Sequence, residues 1–235
     1  MPVLITKLHE IDSLEDSYLY VAQQYNFKKH PYFLWMHEES ACESFLQSQL
    51  SFRYAVESFS CALAACLSKI SHLERRIHLA ENVQEEHGGG DLRKAHKHTF
   101  LEFLRALGAR EEQLLLPCNL GVQAFNESIR NFCLANSGAC GAALLGMIEY
   151  LYIDISAQIA QKISTSKWVL PNSQSHYAAH EVIDVEHARE LFEICVDDWD
   201  KSSKDIASAM ALGGYYFWNL YLSMLEEVKS EMARK

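Results

Sequence analysis

Proline and glycine are scarce in this chain, and their scarcity restricts how often the backbone can turn. The 235 residues include 4 prolines and 10 glycines, and the segments between them have helical rather than strand periodicity. We predict helices at about 12–28, 39–69, 71–87, 91–107, 119–136, 138–166, 174–199 and 202–233, with Asp91 as the N-cap of the helix at 91–107. The expected fold is an all-α bundle of seven or eight helices, in a single domain that spans residues 1–235.

Positive charge is also scarce. The 21 Lys and Arg residues are outnumbered by 31 Asp and Glu residues, which gives a formal net charge of -10. A surface of this sign repels phosphate groups, and no stripe of Lys and Arg offsets it. We therefore expect no nucleic-acid partner and no attraction to an anionic membrane.

The chain has no Cys-x-x-Cys pair, although it contains 7 cysteines. Their odd number and the apolar neighbours of residues such as Cys61 and Cys66 are typical of reduced thiols in a cytoplasmic protein. The N-terminus is acidic where a signal peptide would be basic and then apolar. No apolar run approaches the roughly 20 residues that a membrane-spanning helix needs. A soluble cytoplasmic protein is the expectation.

A candidate metal-binding stripe lies in the segment HEVIDVEH at 180–187. Its histidines and aspartate are separated by four and three residues, so His180, Asp184 and His187 share one face of a helix. Two imidazoles and a carboxylate on one stripe make half of a transition-metal site.

One carboxylate interrupts the most apolar predicted helix. Glu149 lies within the sequence LLGMIEYLYI, and a buried glutamate needs a partner, a metal ion or a proton. The simpler alternative is that Glu149 makes a hydrogen bond with a buried tyrosine such as Tyr152 or Tyr177.

A second group of polar residues lies around the glycine run at 88–90. Glu85 and Glu86 precede it at the end of one predicted helix, and His96 follows it in the next. The glycines allow a tight reversal that brings the two ends together. Acidic residues oppose the dipole at a helix C-terminus, and a bound cation would compensate for that. The alternative is a solvated acidic patch before a flexible loop.

The combined donor set favours a centre with two metal ions. Nitrogen and oxygen ligands from several helices are typical of di-iron sites in bundles, and they suit Fe or Mn better than Mg, Ca or tetrahedral Zn. The candidate ligands are Glu85, His96, Glu149, His180, Asp184 and His187.

These residues resemble the haem-oxygenase-like di-metal oxidases, a branch of the haem-oxygenase/TenA/PqqC superfamily. The resemblance covers most of residues 30–195. It rests on NVQEEHGGG at 82–90 with His96 and FLRALG at 103–108, on Glu149 in its apolar helix, on the motif at 180–187, and on HPYFLW at 30–35.

The resemblance implies a haem-oxygenase-like helical bundle and a redox activity. It implies that the six candidate residues bind two Fe ions, with Mn as an alternative metal and Glu86 as an alternative to Glu85, and that Glu149 is a bridging or terminal ligand. It further implies O₂ as co-substrate, a small-molecule substrate that the motif does not identify, and a homodimer.

Other branches of the superfamily account for fewer of these residues. A haem oxygenase would use His30 as its proximal ligand and leave the motif at 180–187 without a purpose. A TenA-like enzyme would use a nucleophilic cysteine, for which Cys133 and Cys140 are the candidates. A PqqC-like oxidase would bind an anionic substrate with several basic residues, in which this chain is poor. A metal-free enzyme or small-molecule binding protein, and a non-catalytic helical interaction protein, stay open as alternatives.

Overall fold

A computed structural model describes residues 2–169 and 175–234, with side chains described at 3–169, 176–177 and 185–234. The α-helices are α1 (Pro2–Leu8), α2 (Leu14–Gln24), α3 (Pro31–Glu38), α4 (Cys42–Leu67), α5 (Leu73–Glu86), α6 (His96–Ala106), α7 (Glu111–Leu114), α8 (Leu120–Ala135), α9 (Gly138–Ser166) and α10 (Ser175–Met232). Throughout the described ranges the chain forms helices, turns and loops without a β-strand. The prediction of an all-α fold is confirmed.

Each predicted helix has a counterpart among the described residues, which also contain three short α-helices that were not predicted. The predicted boundary between 199 and 202 appears as an interruption inside α10, where Ser202 leaves the helical region at φ -140° and ψ 25°. The helices that were not predicted are α1, α3 and α7. Pro31 does not separate two segments but begins α3, because proline suits the first turn of a helix.

The predicted helix at 91–107 begins later than expected. Asp91 is not its N-cap, because the Asp91 side chain accepts from the Arg93 backbone N–H at 3.1 Å and caps a short 3₁₀ turn at Leu92–Lys94. Ala95 then has an extended backbone, with ψ 139°, and this residue separates the turn from α6. The sequence signal for a cap was correct, but it belongs to a different element.

Helix α9 forms the centre of the bundle and packs most extensively against α10. Its N-terminus is capped by Ser137, whose hydroxyl accepts from the Cys140 N–H at 3.2 Å. The two backbones approach closely at Gly213, where an added Cβ would lie 2.4 Å from the Leu144 carbonyl oxygen. This close packing places one face of α9 against α10, which carries the predicted histidine motif.

Two of the described helices, α4 and α9, are long and apolar enough by length and composition to cross a membrane. Sequence inspection did not expect any such helix. In the most apolar window of α9, 83% of the residues are buried inside the fold, against 56% for α4. Their apolar surfaces therefore face other helices to a large extent, as in the core helices of a globular protein.

Candidate metal centre

The glycine run at 88–90 brings the ends of α5 and α6 together. All three glycines have positive φ, at 70°, 63° and 91°, which is a backbone conformation that other residues rarely adopt. A Cβ on Gly88 would also lie 2.4 Å from the Ala95 backbone nitrogen. The predicted reversal is present, and it puts the last residues of α5 beside the first residue of α6.

Glu86 and His96 form the first carboxylate–imidazole pair of the site. Glu86 Oε1 lies 2.9 Å from His96 Nδ1, and the two side chains are only 7% and 14% exposed. This burial excludes the solvated acidic patch for Glu86, since a solvated carboxylate would not lie against a buried imidazole. The sequence offered Glu86 only as a substitute for Glu85, but Glu86 is the more deeply buried of the two carboxylates.

Glu85 contacts a different histidine. Its Oε2 lies 2.8 Å from His187 Nε2, and the Glu85 side chain is 58% exposed whereas His187 is buried. Successive residues of an α-helix point about 100° apart, so Glu85 and Glu86 reach different partners. Glu85 and Glu86 are thus not alternatives for one position, because each carboxylate contacts a different imidazole.

Glu149 lies on the opposite side of His187. Its Oε1 is 4.0 Å from His187 Nδ1, and both side chains are almost fully buried. The imidazole of α10 therefore lies between a carboxylate of α5 and a carboxylate of α9. The alternative partner Tyr177 is engaged elsewhere, because its hydroxyl donates its one proton to Gln49 Oε1 at 2.7 Å.

The remaining two candidates, His180 and Asp184, belong to α10 by their backbone. Their side chains lie outside the described residues, so the structure tests the motif at 180–187 through His187 alone.

A small cavity of about 50 Å³ adjoins these residues. Its polar lining includes Glu86, His96 and Glu149, and it also includes His176, which the sequence reasoning missed. The rest of the lining is mostly apolar or aromatic and comes from α4, α8, α9 and α10: Phe52, Ala55, Val56, Phe59, Phe125, Ile148, Tyr152 and Phe217. The cavity has room for a few water-sized groups, well below the several hundred Å³ typical of a pocket for a larger ligand.

The donor chemistry fits the iron that the sequence predicts. Buried carboxylates and imidazoles from α5, α6, α9 and α10 supply oxygen and nitrogen ligands of the kind that Fe and Mn accept. Among the described side chains, no three His, Cys, Asp or Glu groups already have the arrangement of a metal-binding cluster. The pairs are held instead by carboxylate–imidazole contacts.

His30 does not have the free nitrogen that a haem ligand needs. Nδ1 accepts from the Tyr32 backbone N–H at 3.0 Å, and Nε2 donates to the Trp218 carbonyl at 3.0 Å. The ring is completely buried, and this burial lowers its pKa from 6.5 to about 4. His30 therefore caps α3 and ties it to α10.

The cysteines proposed for a TenA-like nucleophile are buried away from this cavity lining. Cys133 and Cys140 are 0% and 8% exposed, and burial raises the pKa of the Cys140 thiol. No cysteine is among the described residues that line the cavity. A raised pKa disfavours the thiolate, which is the nucleophilic form.

Known proteins with similar sequences and structures agree with this architecture. A 4-aminobenzoate synthase of Chlamydia muridarum (strain MoPn / Nigg) is 25% identical over 202 residues, which are 81% of this chain and 84% of that protein. A domain of unknown function with a haem-oxygenase-like fold from Shewanella denitrificans OS217 matches with a TM-score of 0.73 at 14% identity, over 93% of this chain and 94% of the other. A TenA homologue from P. horikoshii OT3 matches with a TM-score of 0.71 at 13% identity, over 90% and 97% of the two chains.

The structural matches establish the haem-oxygenase-like fold, and the sequence establishes the family. The pattern of the iron-containing redox enzymes matches residues 50–221, a range that includes all six candidate ligands and more than two thirds of the chain. The chain belongs to the iron-containing redox enzyme family.

Proposed function

We propose that this protein is an O₂-dependent oxidase or oxygenase with two iron ions, or manganese in their place, bound between α5, α6, α9 and α10. The observation that carries the proposal is the meeting of buried carboxylates and imidazoles beside one cavity, in a chain of the iron-containing redox enzyme family. The proposed ligands are Glu85, Glu86, His96, Glu149, His180, Asp184 and His187.

The bound iron would supply the electrons and the open coordination positions that O₂ reduction requires. The role of Glu149 follows from its position. It lines the cavity together with Glu86 and His96, and it also lies 4.0 Å from His187. It is therefore the carboxylate that connects the two imidazole-containing halves of the site.

The protein also controls protons at this site. Glu86 Oε1 lies 2.9 Å from His96 Nδ1, and Glu85 Oε2 lies 2.8 Å from His187 Nε2, so each imidazole has a carboxylate that accepts a hydrogen bond from its N–H. An imidazole nitrogen binds metal only without its proton, so loading the centre releases protons.

The apolar wall would keep water from the reacting groups. Phe52, Ile148 and Phe217 line the cavity and leave little room beside the polar residues. Water exclusion strengthens electrostatic interactions and limits side reactions of reactive intermediates. We propose that the oxidised substrate is a small molecule.

The decisive experiment is an anaerobic titration of the full chain with Fe(II), followed by exposure to O₂. We expect two metal ions per chain and O₂ consumption that depends on the metal. Glu86→Gln and His187→Ala should each lower the metal content. Glu81→Gln is the matched control, because Glu81 lies on α5 one turn before Glu85, is 62% exposed and contacts only His78 among the described ion pairs.

Failure of the native chain to bind metal would refute the proposal and leave two alternatives, a metal-free TenA-like enzyme or binding protein and a non-catalytic interaction protein. Equal metal content in native protein and both site variants would refute the proposed ligands. The related 4-aminobenzoate synthase makes 4-aminobenzoate the first product to seek by mass spectrometry. The cytoplasmic location and the homodimer stay predictions from the sequence.

A further inference from the structure

We infer that His176 is an additional metal ligand of this centre and that it binds through Nε2. The inference rests on the proposed function, since it assigns a residue to the same metal site. His176 precedes His180 by four residues, so the spacing predicts that His176 lies on the same helix face as the motif at 180–187. The predicted stripe thus has a fourth member.

His176 is placed at the cavity rather than elsewhere on α10. It is 3% exposed and lines the cavity together with Glu86, His96 and Glu149. Its ring lies perpendicular to that of His96, with 6.2 Å between the ring centroids. A metal ligand must be near the other donors, and His176 shares the lining of one small cavity with Glu86, His96 and Glu149.

A hydrogen bond joins Thr99 to the Nδ1 atom of His176, the ring nitrogen that we infer does not bind metal. Thr99 Oγ1 donates to the His96 carbonyl at 3.1 Å, and the same oxygen lies 3.1 Å from His176 Nδ1. The hydroxyl has one proton, and the carbonyl can only accept. In the arrangement that we infer, this proton goes to the His96 carbonyl and His176 Nδ1 donates to Thr99, so a neutral ring has its lone pair on Nε2.

This arrangement is the one that metal-binding histidines commonly have. The nitrogen that does not bind metal donates to an oxygen of the protein, and that contact fixes both the tautomer and the ring orientation. The His176 ring is also held edge-on by Phe100 at 4.9 Å and by Tyr177 at 5.2 Å between centroids. The ring is thus oriented before any metal binds.

Two variants test the assignment in the full chain. His176→Phe keeps a ring of similar size and removes both nitrogens, whereas Thr99→Val keeps the imidazole and removes its oxygen partner. The control is His78→Phe, which removes an imidazole that is 55% exposed and does not line the cavity. Metal affinity is measured anaerobically with Fe(II) against a competing chelator, and the ligand environment is read from the visible absorption of bound Co(II).

We expect His176→Phe to weaken binding of one metal ion at least tenfold and to change the Co(II) spectrum. Thr99→Val should weaken binding by about 10- to 100-fold, the usual effect of losing a partner that orients a ligand. His78→Phe should behave as the native protein does. Circular dichroism checks that each variant is folded, and if His176→Phe is not folded, Thr99→Val decides the test.

The outcomes separate this inference from the proposed function. If the native chain binds metal and both variants retain its affinity and Co(II) spectrum, His176 is a structural residue and the inference is wrong, although the proposed function stands. If the native chain binds neither Fe(II) nor Co(II), the inference and the proposed function are both overturned.

Discussion

Replacing His30 with asparagine is expected to change how the stability of this protein depends on pH. His30 is buried, its Nδ1 accepts from the Tyr32 N–H, and its Nε2 donates to the Trp218 carbonyl. A second proton on Nδ1 would face the Tyr32 N–H instead of a hydrogen-bond acceptor. Asparagine is a good N-cap residue and can still accept from the Tyr32 N–H, but it does not titrate.

The magnitude follows from the difference between the folded and ordinary values of the pKa. The folded pKa is lowered from 6.5 to about 4 because burial disfavours the charged ring. Stability from the neutral His30 is thus fully present above pH 6.5 and is lost as the pH falls towards 4, since only the unfolded chain takes up the proton there. The loss is about 1.4 kcal/mol per pH unit, or roughly 2 kcal/mol between pH 7 and pH 4.5.

Urea denaturation of the native protein and His30→Asn at these two pH values measures this contribution. The variant is expected to be less stable at pH 7, because it loses the hydrogen bond to Trp218. Between pH 7 and pH 4.5 the native protein should lose about 2 kcal/mol more of its free energy of unfolding than the variant does, because all other groups titrate equally in both proteins. A difference that stays constant to within about 0.5 kcal/mol would refute the reasoning from burial.

Two further predictions concern the packing of the bundle. Gly213→Ala should lower the free energy of unfolding, measured by urea denaturation, by about 1–3 kcal/mol. The added Cβ would lie 2.4 Å from the Leu144 carbonyl oxygen and force α9 and α10 apart. An unchanged free energy of unfolding would contradict this close approach of the two helices. A thiol reagent should label the exposed Cys61 in the native protein, while Cys66 and Cys195 react only after unfolding, because both are fully buried and burial contributes to raising their pKa values. Equal labelling rates for all three, measured by mass spectrometry of peptides, would contradict this burial.

The helices were predictable because they depend on local patterns. The segment at 138–166 was predicted with the same limits that α9 has, since it is apolar along most of its length and Gly138 marks its start. The interruption near 202 was also anticipated. The short helix α3 was missed because Pro31 was taken as a break between segments, whereas proline at the first helical position begins a helix.

The pairing of the site residues was less predictable because it depends on direction as well as on spacing. The sequence offered Glu85 and Glu86 as alternatives for one role, but neighbouring residues on α5 point to different sides, and each contacts its own histidine. His176 was overlooked although it continues the four-residue spacing of the stripe. Its relation to Thr99 involves residues 77 positions apart, and no local pattern reveals such a contact.

The sequence by itself determined the helical class, the family and the candidate site residues, because periodicity and motif spacing are properties of neighbouring residues. Only the tertiary structure decided which carboxylate faces which imidazole, that both nitrogens of His30 are occupied, and that His176 lines the cavity beside Glu86 and Glu149. These relations arise from the reversal at the glycine run and from the packing of α9 against α10. They are set by the relative positions of helices that are far apart in the chain.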